Sequence, residues 1–144
     1  MTKPDGYVEI DQSEHPDFFG NHAGPFYCKR APNPNGEDAL WFGLTIEEHH
    51  TNGHRRGHGG LIMTLADEAL GAAAWEAADG APSVTIGLQV NFIGAVREGA
   101  LLECVADTVE RTRGMVFVQG RVWADGKVIA NATGTWKLLD LSKY

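Results

Sequence analysis

Apolar and polar residues alternate through the second half of the chain. Apolar side chains occupy every second position from Val84 to Phe92, with polar or small residues between them. This period of two is typical of a β-strand with one buried face. Three later segments repeat the pattern: 101–109, 115–124 and 128–139. The Asp125-Gly126 pair predicts a tight hairpin between the last two, so four consecutive strands are expected here.

The middle of the chain has a different pattern. Residues 59–78 contain no proline, are dominated by Leu, Ala, Ile and Met, and place apolar side chains on nearly every helical face. They predict a helix that is buried all round. Ahead of it, segments 26–30 and 39–46 predict two strands joined by a turn rich in Pro and Gly. Because short turns join antiparallel strands, we expect an α+β fold whose sheet curls around the helix.

Length and composition indicate one domain. The first 24 of the 144 residues are polar and are broken by Pro4, Pro16 and Gly20, which predicts an irregular N-terminal arm or a short helix before a single domain over 25–144. No apolar run approaches the roughly 20 residues that span a bilayer, and no secretory signal is visible, so we expect a cytoplasmic protein without membrane contact. The net charge of −7 argues against a nucleic-acid surface.

The densest polar stretch, HHTNGHRRGHGG, occupies residues 49–60 and leads into the predicted helix. The first N–H groups of a helix lack internal partners and lie at the positive end of its dipole. Gly59 and Gly60 leave that end unshielded, so a carbonyl placed there would be polarised, at about 3–4 kcal/mol of transition-state stabilisation per donor. The Arg55-Arg56 pair suits a phosphate-bearing small ligand, or is simply a solvated loop.

Two carboxylates, Asp67 and Glu68, interrupt the apolar helix. We expect one of them to be buried. Low-polarity neighbours should raise the pKa of Asp67 and make it a usable base near neutral pH. The alternative is that Asp67 caps a backbone group or pairs with an arginine.

Other catalytic templates are missing from the sequence. It contains no G-x-S-x-G elbow, no G-K-[ST] ending to its glycine-rich stretch and no G-x-G-x-x-G after a strand. Four histidines between residues 49 and 58 suggest zinc, but Gly53 and Gly57 disturb helical spacing and H-E-x-x-H is absent. We therefore predict no metal site.

The run H-x-N-x5-H-G-G-L-I-M-T-L-A-D-E-A-L-G, from His50 to Gly71, closely resembles hotdog-fold thioesterases of the phenylacetic-acid-degradation type, in the 4-hydroxybenzoyl-CoA thioesterase superfamily. The resemblance covers roughly residues 25–139. It implies a hotdog fold, with five or six antiparallel strands around the helix. It also implies hydrolysis of an aryl or fatty acyl-CoA to free acid and CoA without a cofactor, coenzyme A being part of the substrate.

The resemblance also implies roles for individual residues. Gly59 would supply the N–H that polarises the thioester carbonyl, and Asp67 would activate water as a base or act as the nucleophile. Asn52 and His58 match positions that line the thioester, and Thr85 matches a position that helps to hold the water.

Further implications concern substrate binding and assembly. Gly60 completes the motif, and the candidates for the CoA phosphates are Arg55, Arg56 and Arg97. Active sites of the family are shared between the chains of a homodimer, and two dimers often form a tetramer. This chain departs from its relatives at Arg55, where glycine is common.

Two alternatives to hydrolysis remain open from the sequence. One is a non-catalytic module that binds acyl-CoA, since a fold does not fix a function. The other is a hotdog hydratase or dehydratase, although the H-F-P motif of those enzymes is absent. The acyl group is not specified. Six aromatic residues are candidates for an aryl pocket or for the core: Phe18, Phe19, Phe26, Trp41, Trp75 and Phe92.

Overall fold

The computed structural model describes residues 3–143 and contains two helices and seven strands within them. Their order is β1 (Val8–Glu9), α1 (Phe18–Ala23), β2 (Tyr27–Pro32), β3 (Asp38–Thr45), α2 (Gly59–Ala77), β4 (Ser83–Phe92), β5 (Leu101–Arg111), β6 (Met115–Ala124) and β7 (Lys127–Leu138). Short 3-10 turns cover Glu48–His50 and Leu141–Lys143. The strands form one antiparallel sheet in the order β1-β2-β3-β5-β6-β7-β4.

Helix α2 packs against the sheet and forms the core with it. Leu65 and Leu70 are fully buried, as expected of a helix that is apolar on every face. A glycine in β6 lets the helix approach, because a Cβ on Gly120 would lie 2.8 Å from Leu70 Cδ1 and 2.9 Å from the Val105 carbonyl oxygen. The α+β prediction of a sheet around one long helix is therefore confirmed.

The sheet has seven strands, whereas five or six were expected. Strand β1, in the N-terminal arm, pairs with β2 through Val8 opposite Cys28. A strand of two residues is too short to give a period-two pattern, so it could not be read from the sequence. The arm also contains α1, which begins after Asp17 because that carboxylate accepts the N–H of Gly20 at 2.9 Å.

Strand β4 corrects the predicted alternation. Between Thr85 and Gly87 its register with β7 shifts by one residue, a β-bulge. The bulge reverses which face successive side chains occupy. Thr85 therefore contacts α2, whereas Val84 and Ile86, which the simple alternation places on the buried face, are exposed. The predicted alternation holds only at Leu88 and Val90, which pack against the core, whereas Phe92 is exposed.

Strand β4 also ends the sheet, so one side of this ten-residue strand has no neighbour among residues 3–143. Four large apolar side chains are exposed along or just after it: Val84, Ile86, Phe92 and Ile93. A long apolar edge of this kind is a surface that proteins normally cover. Across residues 3–143, neither helix has the length and apolar character needed to cross a membrane.

Candidate active site

The start of α2 has one uncommitted backbone donor. His58 caps the helix, its Nδ1 accepting the N–H of Gly60 at 2.8 Å. The carbonyl oxygen of His58 accepts the N–H groups of Leu61 and Ile62 at 3.0 and 3.2 Å. The Ile62 bond is the first regular i→i−4 bond of the helix. Of the four N–H groups at the helix start that lack such a bond, those of His58, Gly60 and Leu61 have partners, because the His58 N–H donates to the His50 carbonyl at 2.8 Å. The fourth, on Gly59, has no acceptor among residues 3–143.

Gly59 and Gly60 differ in how much space their surroundings leave for a side chain. A Cβ on Gly60 would lie 2.9 Å from Nδ1 of His58, so glycine allows the histidine to cap the helix. A Cβ on Gly59 would lie 3.5 Å from the ring of Phe92, which is ordinary contact. Because Nδ1 of His58 is an acceptor, the proton of the neutral ring is on Nε2. Nε2 is thus left as a donor.

The loop before the helix is organised by Asn52. Its Oδ1 accepts the N–H groups of His54 and Arg56 at 2.9 and 3.2 Å, and its own N–H donates to the Arg56 carbonyl at 2.7 Å. His50 anchors the loop from behind. Its buried ring contacts the Gly24 carbonyl through Nε2 at 2.9 Å, and burial lowers its pKa. Asn52 therefore shapes this loop, and its role toward a thioester stays a prediction.

Arg55 occupies a strained backbone position in this loop. Its φ of 59° lies in the left-handed region, which accounts physically for the preference for glycine there. The side chain forms ion pairs with Glu48 at 2.9 Å and with Glu98 at 3.4 Å. Arg55 thus holds the loop against two neighbouring segments, and its guanidinium is already occupied by carboxylates.

We expect the Arg55→Gly variant to be more stable than Arg55→Ala, although at most positions alanine is the more stabilising of the two residues. Both variants lose the exposed ion pairs, but only alanine keeps the left-handed strain, a difference of about 1 kcal/mol in the free energy of unfolding. Urea denaturation of the two variants measures it. An alanine variant at least as stable as the glycine variant would mean that the loop relaxes to another backbone conformation.

Arg56 and Arg97 lie side by side. They face each other across an isolated antiparallel bridge and both line a cavity of about 220 Å³. Opposed residues in such a bridge have Cβ atoms about 5 Å apart. Within residues 3–143, neither arginine forms a salt bridge, in contrast to Arg55. Of the three predicted phosphate contacts, the structure thus brings two together.

Asp67 and Thr85 form a second cluster, about two turns along the helix from Gly59. The Thr85 hydroxyl donates to Oδ1 of Asp67 at 2.8 Å, a contact that the β4 bulge makes possible. Both residues line a cavity of about 460 Å³. Its apolar walls include Phe26, Trp75 and Trp136. The volume is typical of pockets that take small organic ligands. The expected raised pKa of Asp67 stays a prediction.

Glu68 faces the same cavity and is the carboxyl group whose pKa the structure raises. Burial is the main cause, followed by a hydrogen bond to Asp17 and the charges of Asp17 and Asp67, and together they raise the pKa from 4.5 to about 8. The folded protein thus holds a proton that the unfolded chain releases between these values. Stability should therefore fall as the pH rises from 4.5 to about 8.

Only some of the predicted aromatic residues line this cavity. Phe26 and Trp75 do, whereas Trp41 packs against Trp123 with ring centroids 5.2 Å apart. Phe18 and Phe19 are exposed on α1. Phe92 lies beside Gly59 rather than in the core.

Sequence reasoning missed the wall that the N-terminal arm contributes. Its cavity-lining polar residues are Asp11, Gln12, His15, Asp17 and Asn21. An arm without hydrophobic periodicity gives little sequence signal. The one available clue was an aspartate, a good helix N-cap, directly before the apolar Phe18-Phe19 pair.

The two clusters lie apart within one chain. Gly59 and Asp67 are eight residues apart on α2, which separates them by about 12 Å along the helix axis. One carbonyl group cannot touch both within a single protomer. Among the described residues 3–143, no three His, Cys, Asp or Glu side chains are arranged to hold a metal ion.

Comparison with known proteins identifies the family. The family profile described as thioesterase superfamily matches residues 57–130. A Pseudomonas aeruginosa protein with the name "Putative esterase" is 34% identical over 139 residues, which cover 96% of this chain and 98% of that protein. The chain belongs to the thioesterase superfamily.

Solved structures agree with this assignment. A mutant form of the phenylacetic acid degradation protein PaaI from Thermus thermophilus superposes with a TM-score of 0.70 at 26% identity, over 85% of this chain and all of that one. A Bacillus halodurans protein solved with CoA gives 0.64 at 29% identity, over 68% of this chain and 70% of that one. The predicted hotdog fold and the resemblance to this type of thioesterase are thus confirmed.

Proposed function

We propose that the protein hydrolyses an acyl-CoA thioester to the free acid and CoA, with Asp67 activating the attacking water. The hydrogen bond from Thr85 to Asp67 at the wall of a partly apolar cavity carries this proposal. Among residues 3–143, Asp67 caps no helix and pairs with no arginine, which supports a chemical role for its carboxylate. The CoA bound to the Bacillus halodurans relative supports the choice of ligand.

The reaction balances with groups that the chain supplies. Asp67 takes a proton from water while the oxygen of that water forms a bond to the thioester carbon. The Gly59 N–H stabilises the negative charge that develops on the carbonyl oxygen. The C–S bond then breaks and the sulfur of CoA leaves as a thiolate, which takes up the proton that Asp67 removed from water, so that Asp67 returns to its carboxylate form. His58 Nε2–H is the proposed hydrogen-bond donor to the departing sulfur, the side of the thioester to which the resemblance assigns His58. The mechanism uses neither a metal nor another cofactor.

The proposal requires two copies of the chain. Because Gly59 and Asp67 of one helix are about 12 Å apart, the Gly59 amide of one protomer must act with Asp67 of its partner. The uncovered edge of β4, with Val84 and Ile86 exposed, supports pairing with a second copy. A homodimer is therefore expected in a solution-mass measurement, whether or not it pairs further to a tetramer. A fully active monomer would overturn the shared site.

Release of free thiol from a panel of aryl and straight-chain acyl-CoAs tests the activity. We expect thiol release with at least one class of acyl group. Tight binding of every acyl-CoA without thiol release would instead identify a binding module. Hydration of an enoyl-CoA, seen as loss of its ultraviolet absorbance without thiol release, would identify a hydratase.

Arg56 and Arg97 are proposed to bind the phosphates of CoA. The Arg56→Ala/Arg97→Ala double variant should raise KM for acyl-CoA about tenfold or more with little change in kcat, because uniform binding is lost. The same acyl group on N-acetylcysteamine, which lacks the phosphates, should be hydrolysed equally by both proteins.

Arg113→Ala provides the matched control, because Arg113 is an exposed arginine in the turn between β5 and β6. In the Arg113→Ala variant, KM for the acyl-CoA and KM for the acyl-N-acetylcysteamine should both be unchanged. An equal rise in KM for both substrates in the double variant would mean that the two arginines support the loop rather than the phosphates.

A further inference from the structure

One side of the cavity beside Asp67 is formed by the N-terminal arm. Helix α2 contributes Gly71 and Trp75 to the lining, and the arm contributes Gln12, Asp17 and Asn21. Most lining residues of the arm are polar, with Ile10 as the apolar exception, whereas the other walls include aromatic rings. An acyl chain that reached the arm would have to bury polar groups or displace the arm.

The arm is a small unit held together by its own side chains. Oε1 of Gln12 accepts the N–H of Asp17 at 3.0 Å and the side-chain amide of Asn21 at 2.7 Å. The side-chain amide of Gln12 donates in return to Oδ1 of Asn21 at 2.8 Å. Asp17 also caps α1, and a Cβ on Gly20 would lie 2.1 Å from its carboxylate. These contacts fix where Asp17 points.

Asp17 connects this unit to the central helix. Its carboxyl group lines the same cavity as that of Glu68, and a hydrogen bond to Asp17 is, after burial, the next cause of the raised Glu68 pKa. Two carboxyl groups hydrogen-bond only if they share a proton, and burial with two acidic neighbours keeps that proton on Glu68 up to a pKa of about 8. The other titratable groups around the cavity are Asp11, His15 and Asp67. Asp11 and Asp67 could replace Glu68 as the hydrogen-bond donor to Asp17 only if they were protonated themselves.

We propose that the Asp17–Glu68 hydrogen bond holds the N-terminal arm as the end wall of the acyl pocket, so that Glu68 is a positioning residue that selects short acyl groups over long ones. This deepens the proposed function and rests on it. Short acyl groups fit between Asp67 and the arm. Long alkyl chains need the arm to move, so breaking the carboxyl pair should admit them.

Raising the pH should break the pair in the wild-type protein. Below about pH 8 Glu68 keeps its proton and donates to Asp17, and above it Asp17, Asp67 and Glu68 face one another as three negative charges. Discrimination between acyl lengths should therefore be constant below this pH and decline above it. Glu68→Gln keeps a donor at every pH, so its discrimination should be as strong as in the wild type and independent of pH.

The experiment compares kcat/KM for butanoyl-CoA and hexadecanoyl-CoA from pH 6 to 9. In Glu68→Ala and Asp17→Ala the preference for the short substrate should fall about tenfold at pH 7, mainly through a lower KM for the long one. Glu68→Gln should restore the preference. Glu14→Gln, an exposed carboxylate of the same arm, is the control and should behave as wild type.

A second measurement does not depend on activity. Amide hydrogen exchange of residues 10–21, corrected for the intrinsic effect of pH, should accelerate above pH 8 in the wild type but not in Glu68→Gln. If thiol is released but the ratio of kcat/KM for butanoyl-CoA to that for hexadecanoyl-CoA is the same in all variants, the arm is not the end wall of the pocket, and the proposed function is unaffected. Absence of thiol release from every substrate would instead refute the proposed function. Exchange that is the same in Glu68→Ala and the wild type would refute the connection between arm and helix.

Discussion

Replacing Asp67 with asparagine is expected to lower kcat for acyl-CoA hydrolysis by about 10²–10⁴-fold, the range lost with a general base. Asparagine has the same shape and still accepts the Thr85 hydroxyl, whose oxygen is 2.8 Å from Oδ1 of Asp67. The side chain is only half-buried, so the free energy of unfolding should change by no more than about 1 kcal/mol. Single-turnover thiol release and thermal denaturation measure the two quantities.

Glu76→Gln is the matched control for Asp67→Asn. Glu76 lies on the same helix nine residues later, and its carboxylate pairs with Arg30 at 2.7 Å on the surface. Loss of this carboxylate should leave turnover at the wild-type level. If Asp67→Asn kept wild-type turnover as well, another group would have to activate the water.

Replacing Gly59 with proline is expected to lower kcat by about 10²–10³-fold, the usual loss for one oxyanion donor. Proline removes the N–H that lacks a partner in this structure. It is also favoured at the first residue of a helix, and His58 before it is already extended, with φ −66° and ψ 137°. Circular dichroism and thermal denaturation should therefore report a normally folded protein.

Gly59→Ala separates loss of the N–H from addition of a side chain. Alanine keeps the donor, and its Cβ would be 3.5 Å from the Phe92 ring, an ordinary contact. We expect this variant to retain most of the wild-type turnover. Equal loss of activity in the alanine and proline variants would indicate that space beside Phe92, rather than the amide, is what the reaction requires.

The two inactive variants can also test the shared site when they are mixed. A heterodimer of Asp67→Asn with Gly59→Pro contains one site with both changes and one site with neither. After subunit exchange, random pairing should restore about a quarter of the wild-type activity, since half the dimers are mixed and one of their two sites is intact. If mass measurement shows that mixed dimers have formed but no activity returns, Gly59 and Asp67 do not belong to a common site.

The elements of the fold were largely predictable because their signals are local. The apolar run predicted α2 at 59–78, and the helix spans Gly59–Ala77. The Asp125-Gly126 hairpin and strands β5 to β7 follow from alternation and turn chemistry within a few residues. The motif at the start of α2 was equally local, because a helix exposes its first amides wherever it begins.

Contacts between distant segments were not predictable from those signals. Strict alternation along β4 predicts that Thr85 points away from the helix. The bulge in the register between β4 and β7 instead directs Thr85 toward Asp67. The resemblance assigned Thr85 to the site but gave no reason for its orientation. Glu68 meets Asp17 from 51 positions earlier in the chain, and no periodic pattern connects residues so far apart.

The sequence by itself determined the buried helix, the strands after it and the glycine-marked helix start, since propensity and period act over a few neighbouring residues. Tertiary structure decided which side chains meet. It left Gly59 as the N–H without a partner, directed Thr85 to Asp67 and placed the N-terminal arm against Glu68. The physical reason is that burial and hydrogen bonding depend on which segments pack together, and a linear pattern does not record those pairings.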